Sequence, residues 1–299
     1  MKYSIRAREP LFALFLLLPC FVIVAVFAFF PILYSLYLSL HRIILGLPGL
    51  GQPFIGLENY TALLSDDIAM HSLINTLLFV FSTTFFEILF GLVIALVINS
   101  HFRGRGAVRA AVLVPWAIPT VVASQMWRFI FNDKYGLLNF ILFGSDTGAY
   151  TAWLAHPATA FAAIVVADVW KTSSFAGLLI LAGLQIIPDE LYEASRIDGA
   201  SAWQQFRRIT LPLVKPALLI ALLFRTMDAF RVFDLVFVMT QGGPADSTNV
   251  LQFYGYKKIF TEGMMGYGST ISVLVFFITF VVSLFYIRVI GTRLFQEKI

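Results

Sequence analysis

Arg225, Asp228, Arg231 and Asp234 stand three residues apart with alternating sign inside an otherwise apolar run, LFRTMDAFRVFDLVFVM. On a helix, neighbours at this spacing are close enough to pair. Each step turns back by about 60°, so the four charges spiral round the surface and do not form a single stripe. A charge at mid-membrane depth costs about 2.5–3.5 kcal/mol on insertion scales. Two arrangements make such charges tolerable: pairing along the spiral, or exposure to a polar solute path. Phe224, Phe230, Phe233 and Phe237 share the run, and Trp170 stands beside Lys171 in DVWKTSSF (Asp168–Phe175). Flat aromatic faces combined with carboxylates suit the C–H faces and hydroxyls of a sugar. The residues expected along a solute path are therefore Trp170, Lys171, Asp228, Phe230, Arg231, Phe233 and Asp234. Phe is so abundant, 31 of 299 residues, that any single one says little. Glu87 and Lys171 are isolated charges in apolar surroundings. Asp168 and Lys171, at i,i+3, are expected to pair locally. A Glu87–Lys171 pair is disfavoured, because their two spans need not touch.

A second stretch carries a different pattern: PDELYEASRIDGASAWQQFRRITLPLVKP, residues 188–216. Pro188 with Asp189 and Glu190 reads as a helix start, since Pro suits the first turn and acids suit the positive end of the helix dipole. Gly199 reads as its stop, because Gly tolerates a positive φ. Ala202–Ile209 reads as a second short helix with Trp203, Phe206 and Ile209 on one side. Pro212 and Pro216 then mark the return to the membrane. The expectation is a helix–turn–helix at the bilayer surface, too polar to span and too patterned to be slack.

Other chemistries lack their residues. There is no G-x-x-x-x-G-K-[ST] loop to cradle a nucleotide's phosphates and no H-E-x-x-H or Cys/His cluster. His41, His71, His101 and His156 are scattered, so no metal centre is expected. No Ser/His/Asp arrangement stands out.

These charges sit in a chain of 299 residues that is 59% hydrophobic and only 13% charged, with a mean hydropathy of +0.85. A soluble chain of this length would form about two domains, but 21 Lys+Arg and 17 Asp+Glu are too few to coat them. The composition argues against a soluble enzyme, a nucleic-acid binder and a disordered chain, and for a polytopic membrane protein. The net charge of +4 fits basic loops on one membrane side. The single cysteine, Cys20, lies in an apolar run and is expected to be a lipid-facing or packed hydrophobe.

Six all-helical spans are expected, since each needs about 20 apolar residues: Leu11–Leu40, Ser72–Asn99, Ala107–Trp127, Ala158–Gly183, Leu213–Met239 and Gly268–Ile290. The first follows Lys2, Arg6 and Arg8 but is too long for a signal core, so it reads as a retained span. Pro115 and Pro119 should kink or locally unwind the third. Gly46, Pro48, Gly49, Gly51 and Pro53 mark a surface turn after the first. With both termini in the cytoplasm, 13 Lys+Arg fall inside, 5 outside and 3 within spans, the bias that the positive-inside rule requires.

The chain resembles the permeases of binding-protein-dependent ABC importers. Glu193-Ala194-Ser195, then Gly199 and Ile209-x-Leu211-Pro212, match that family's EAA loop, with Ser195 where Ala is frequent. The segment FRTMDAFRVFDLVFVMTQGGP, ending in Thr240, Gly242, Gly243 and Pro244, resembles the fifth-span signature and outer turn of the maltose-, trehalose- and glycerol-phosphate-type first permeases. The resemblance implies a type I importer fold in one transmembrane domain, 1–299, with 188–216 as the cytoplasmic coupling loop. It implies that Glu193, Ala194, Ser195, Asp198, Gly199, Ile209, Leu211 and Pro212 meet an ATPase. It also implies a second permease subunit in a heterodimer, two ATP-binding subunits that hold ATP and Mg, an extracytoplasmic sugar-binding protein, and a bacterial inner membrane as the location. This chain itself would bind no cofactor and catalyse no reaction. A di- or oligosaccharide of the trehalose/maltose kind is the expected cargo. The alternatives are a glycerol phosphate permease, an ion-coupled sugar carrier that uses Glu87, Asp228 and Asp234, and, with least support, a membrane-embedded enzyme.

Overall fold

The computed structural model describes residues 9–47, 49 and 51–296, with side chains from residue 12 to 289. Lys2, Arg6, Arg8, Pro48 and Lys298 lie outside the described residues, as does the Arg293 side chain. Every long apolar run forms a helix, because a backbone in lipid must satisfy its hydrogen bonds internally. Five helices are long and apolar enough to cross a membrane, and a bent pair supplies a sixth span. These are α1 (Phe12–Ser39), α3 (Asp67–Asn99), the pair α4 (Arg105–Ala117) and α5 (Thr120–Ile130), α7 (Pro157–Leu184), α9 (Ala202–Ala229) and α12, a span over Met265–Val289. Short helices lie between them: α2 (Glu58–Leu64), α6 (Leu137–Phe143), α8 (Asp189–Ile197), α10 (Asp234–Met239) and α11 (Leu251–Tyr256).

The described residues fall into two compact units. The first holds the chain up to Asp66 together with Gly255–Leu274. Here α1 leaves nearly all of its apolar surface exposed, Cys20 included, and buries only Leu38 and Ser39 at its end. The segment after α1 is tied down by polar contacts. Asn59 donates to the carbonyls of Ser39 and His41 at 2.8 and 3.2 Å. Tyr267 donates to Asp66 at 2.6 Å. Gly266 must be glycine, since a Cβ there would collide with the carbonyl of His41.

The second unit, Asp67–Tyr254 with Val275 onward, is organised by α3 lying along α7. Lipid gives helices little hydrophobic drive to associate, so close backbone approach has to supply the attraction. Gly91 and Gly177 provide it: a Cβ on Gly91 would stand 2.9 Å from that of Ala176, and one on Gly177 would stand 2.9 Å from Ile94 Cγ2. Ala95, Ile98, Ile180, Leu184, Val214 and Ala221 pack into one buried cluster that brings α9 against the same pair. Spans two and four therefore touch along their length, contrary to the expectation that they need not.

Two spans are broken. The third bends by 90° between α4 and α5. Ile118, ahead of Pro119, is extended (φ −70°, ψ 131°), as the ring of a following proline requires. Pro115 stays inside α4, so only Pro119 makes the break. The fifth span was expected to run unbroken over Leu213–Met239. It begins earlier, at Ala202, and ends at Ala229. The amides of Arg231 and Val232 bond three residues back, to Asp228 and Ala229 at 3.0 and 3.2 Å, and the chain restarts as α10 at Asp234. This break has neither Pro nor Gly to announce it.

Candidate functional site

Both breaks open onto one cavity of ≈ 430 Å³. Trp116 and Thr120 flank the bend of the third span, and Arg231, Val232, Phe233 and Asp234 come from the break in the fifth. Between them α7 contributes Asp168, Lys171, Thr172 and Phe175, and α9 contributes Phe224, Arg225 and Asp228. Non-helical backbone at membrane depth is tolerated where it lines a cavity. Lys171 Nζ donates to the Trp116 carbonyl at 3.3 Å. That carbonyl lies in the last turn of α4, where no helical partner remains and a cation is favoured.

Glu87, Asp168, Arg225, Asp228 and Arg231 form one connected network. The Arg225 guanidinium meets Glu87 through two nitrogens, at 2.6 and 3.0 Å, and Asp228 through the third, at 2.7 Å. Asp168 lies 3.6 Å from Arg225, and Arg231 3.6 Å from Asp228. The Thr172 hydroxyl donates to Glu87 at 2.6 Å. Burial is graded: the side chain of Glu87 is 0% exposed, Arg225 3% and Asp228 58%. The expected local pairing of Asp168 with Lys171 is replaced, since Asp168 faces Arg225 and Lys171 faces the carbonyl of Trp116.

Of the expected path residues, Lys171, Asp228, Arg231, Phe233 and Asp234 line the cavity, and Trp170 and Phe230 do not. Trp170 packs edge-on against Trp127 at 5.7 Å, and Phe230 is buried. The aromatic wall comes instead from Trp116 stacked on Phe175, 5.4 Å apart and 14° from parallel. Sequence reasoning passed over both, although Trp116 sits between the two prolines of VPWAIP and Phe175 closes the DVWKTSSF segment.

The turn after α10 is built from strained and permissive positions. Gln241, Gly242, Ala245 and Asp246 all have positive φ, and the Gly243–Pro244 bond is cis. Thr248 Oγ1 lies 2.7 Å from both Thr240 Oγ1 and the Gly243 carbonyl. Asn75 on α3 donates to the carbonyls of Asp246 and Asn249 at 3.0 and 3.1 Å.

The stretch after α7 folds as two capped turns. The α8 helix starts after Pro188 and stops at Gly199, φ +77°. The amides of Ala200 and Gly199 bond the carbonyls of Ser195 and Arg196 at 2.9 and 3.1 Å, which satisfies the last orphan acceptors in the glycine-stop pattern. Ser201 and Gln204 then form a reciprocal capping box that opens α9. The expected second short helix, Ala202–Ile209, is not separate: it passes through a π turn at Phe206–Thr210 directly into the span. Tyr192 and Thr210 bond at 3.0 Å and lock α8 to it. Glu193, Ala194, Asp198, Gly199, Leu211 and Pro212 are exposed, and Ser195 and Ile209 half-buried. Ile186, Ile197 and Trp203 are large apolar side chains left bare, Ile197 at 88%.

Among the described residues no group of three His, Cys, Asp or Glu side chains is placed to hold a metal ion.

Comparison with known proteins adds the following. Residues 87–295 match the family described as binding-protein-dependent transport system inner membrane component. The chain is 42% identical to the trehalose/maltose transport system permease protein MalF of Thermococcus litoralis, covering 96% of each chain. It is 38% identical to the sulfoquinovosyl glycerol transport system permease protein SmoG of Agrobacterium fabrum, covering 95% of this chain and 92% of that one. Its fold superposes with a TM-score of 0.81, at 22% identity, on a chain of a bacterial ABC transporter involved in the import of the acidic polysaccharide alginate. That match covers 97% of this chain and 98% of the other.

Proposed function

The chain belongs to the family of binding-protein-dependent transport system inner membrane components, and from that premise we propose that it carries a sugar through the cavity at its broken spans. It is the membrane subunit of an ABC importer, and its own residues form a path and a lever. The cargo is a di- or oligosaccharide of the trehalose/maltose kind, the class named for the 42%-identical relative. A second permease completes the path as a heterodimer. Two ATP-binding subunits supply hydrolysis and hold ATP and Mg, and an extracytoplasmic binding protein delivers the sugar. The complex lies in a bacterial inner membrane with both termini and the 188–216 loop in the cytoplasm, the orientation favoured by the distribution of Lys and Arg.

One observation carries this reading: a single helix, Ala202–Ala229, connects the exposed α8 loop to Arg225 and Asp228 at the cavity. At 1.5 Å per residue its 28 residues reach about 42 Å. A partner that grips Glu193–Gly199 and moves on binding ATP pushes on a stiff rod whose far end forms the cavity wall. The breaks at Pro119 and at Phe230–Phe233 are where the path can flex without unfolding a span. Thr240, Gly242, Gly243 and Pro244 form the turn at the outer end of that path. The cavity supplies a stacked aromatic face for the apolar side of a sugar ring, and carboxylates and a threonine hydroxyl for its hydroxyls.

The test is ATP-driven uptake of labelled trehalose or maltose into proteoliposomes that hold the four-subunit complex and its binding protein. Uptake that requires ATP and is lost in Glu193→Arg supports the reading. Uptake by this chain alone, driven by an ion gradient, would replace it with a secondary carrier.

A further inference from the structure

Arg225 lines the cavity, yet each of its three guanidinium nitrogens already holds a carboxylate oxygen. A guanidinium is the side chain best shaped for carboxylate, phosphate or sulfonate, through a planar fork of N–H donors. Here Nε and one terminal nitrogen go to Glu87, at 2.6 and 3.0 Å, and the other terminal nitrogen to Asp228, at 2.7 Å. Glu87 is fully buried, does not line the cavity and is fixed in turn by the Thr172 hydroxyl at 2.6 Å. Of the other two cations at the cavity, Lys171 donates to the Trp116 carbonyl, and Arg231, 66% exposed, lies 3.6 Å from Asp228.

We propose that Glu87 determines charge selectivity: by occupying the Arg225 fork from behind, it makes the cavity reject solutes that carry phosphate, sulfonate or carboxylate and admit uncharged polyhydroxylated ones. The inference rests on the cavity being the sugar path and adds the charge class of the solute. An anion that enters must give up hydration, and it meets Asp228 and Asp234 while Glu87 neutralises Arg225, which leaves Arg231 as the one exposed guanidinium at the cavity. A neutral sugar presents hydroxyl donors, which those same carboxylates accept.

The experiment uses the assembled complex of permeases and ATPases in lipid nanodiscs, without the binding protein, so that only the membrane path selects. Trehalose and trehalose 6-phosphate are titrated calorimetrically. The wild type is expected to favour trehalose by at least about tenfold. Glu87→Gln removes the charge that neutralises Arg225 and should cut that preference about tenfold, most clearly at low salt, whereas Glu87→Asp retains the charge and the preference. Asp228→Asn, at an exposed position, removes the negative charge shared by Arg225 and Arg231 and should shift selectivity the same way, so the inference stays testable if Glu87→Gln fails to assemble. If trehalose binds but the wild type takes both sugars equally, or if neither variant changes the ratio, the Glu87 inference is overturned and the path reading stands. If neither sugar binds any form of the complex, the path reading falls and the inference falls with it.

Discussion

Glu87 and Arg225 are 138 residues apart in the chain, yet the carboxylate of one takes two nitrogens of the other, at 2.6 and 3.0 Å, with both side chains buried. The pair joins α3 to α9, with Arg225 lining the cavity and Glu87 behind it. Breaking a buried pair strands a charge, whereas removing both partners does not. Glu87→Ala or Arg225→Ala should therefore destabilise the protein by about 3–5 kcal/mol, and Glu87→Leu combined with Arg225→Met by less than the two losses summed, its remaining cost being Asp168 left without its arginine. Thermal melting of the detergent-purified protein distinguishes the two cases. Equal losses in single and double variants would mean that the pair contributes only packing.

Helix approach is set by Gly91 and Gly177. A side chain at Gly177 would enter the space of Ile94 and of the Gly91 carbonyl. Gly177→Leu should cost at least about 1–3 kcal/mol by overpacking and lower the yield of folded protein. Gly106, on α4, has nothing within 4 Å of an added Cβ. Gly106→Ala should be neutral or slightly stabilising, since alanine is the better helix former. Folded yield measured by fluorescence-detected chromatography separates them.

The two tryptophans beside the cavity should behave differently. Trp116→Ala removes the face stacked on Phe175 and should raise the KM for sugar about tenfold while the complex still assembles. Trp170→Ala removes a contact with Trp127 away from the lining and should lower the melting temperature with KM unchanged. Uptake kinetics with parallel melting curves test both, and the opposite pattern would move the site to Trp170.

The exposed α8 loop predicts a loss of coupling without a loss of folding. Glu193 is solvent-facing, so Glu193→Arg should change stability by no more than about 0.5 kcal/mol yet abolish sugar-stimulated ATP hydrolysis. Stimulated hydrolysis at the wild-type rate would remove Glu193 from the coupling surface.

The six spans and the α8 stop at Gly199 were legible because each rests on local chemistry: length of apolar run, a glycine at positive φ, a proline at the start. The bend at Pro119 was legible for the same reason. The break at Phe230–Phe233 was not, since FRVF contains no local breaker and the spiral of charges reads equally well as one helix. The partnership of Glu87 with Arg225 was hidden because it depends on which spans pack together, and the glycines that bring α3 onto α7 look ordinary in an apolar run. Trp170 stands outside the cavity lining because it packs edge-on against Trp127 of another helix, which no local pattern announces. Trp116 became part of the wall only through the bend that follows it.

The central claim is that the cavity opens to alternate sides under the control of ATP. Cys20 is the only cysteine, so with Cys20→Ser as background, Arg231→Cys places one thiol at the cavity. The measurement is the rate of its modification by a membrane-impermeant thiol reagent, added to one side of proteoliposomes holding the full complex, with and without a non-hydrolysable ATP analogue. Nucleotide should raise labelling from the outer side and lower it from the inner side by about tenfold each, a population shift of a size that coupling energies of 1–3 kcal/mol permit. Rates from both sides that ignore nucleotide would contradict the account.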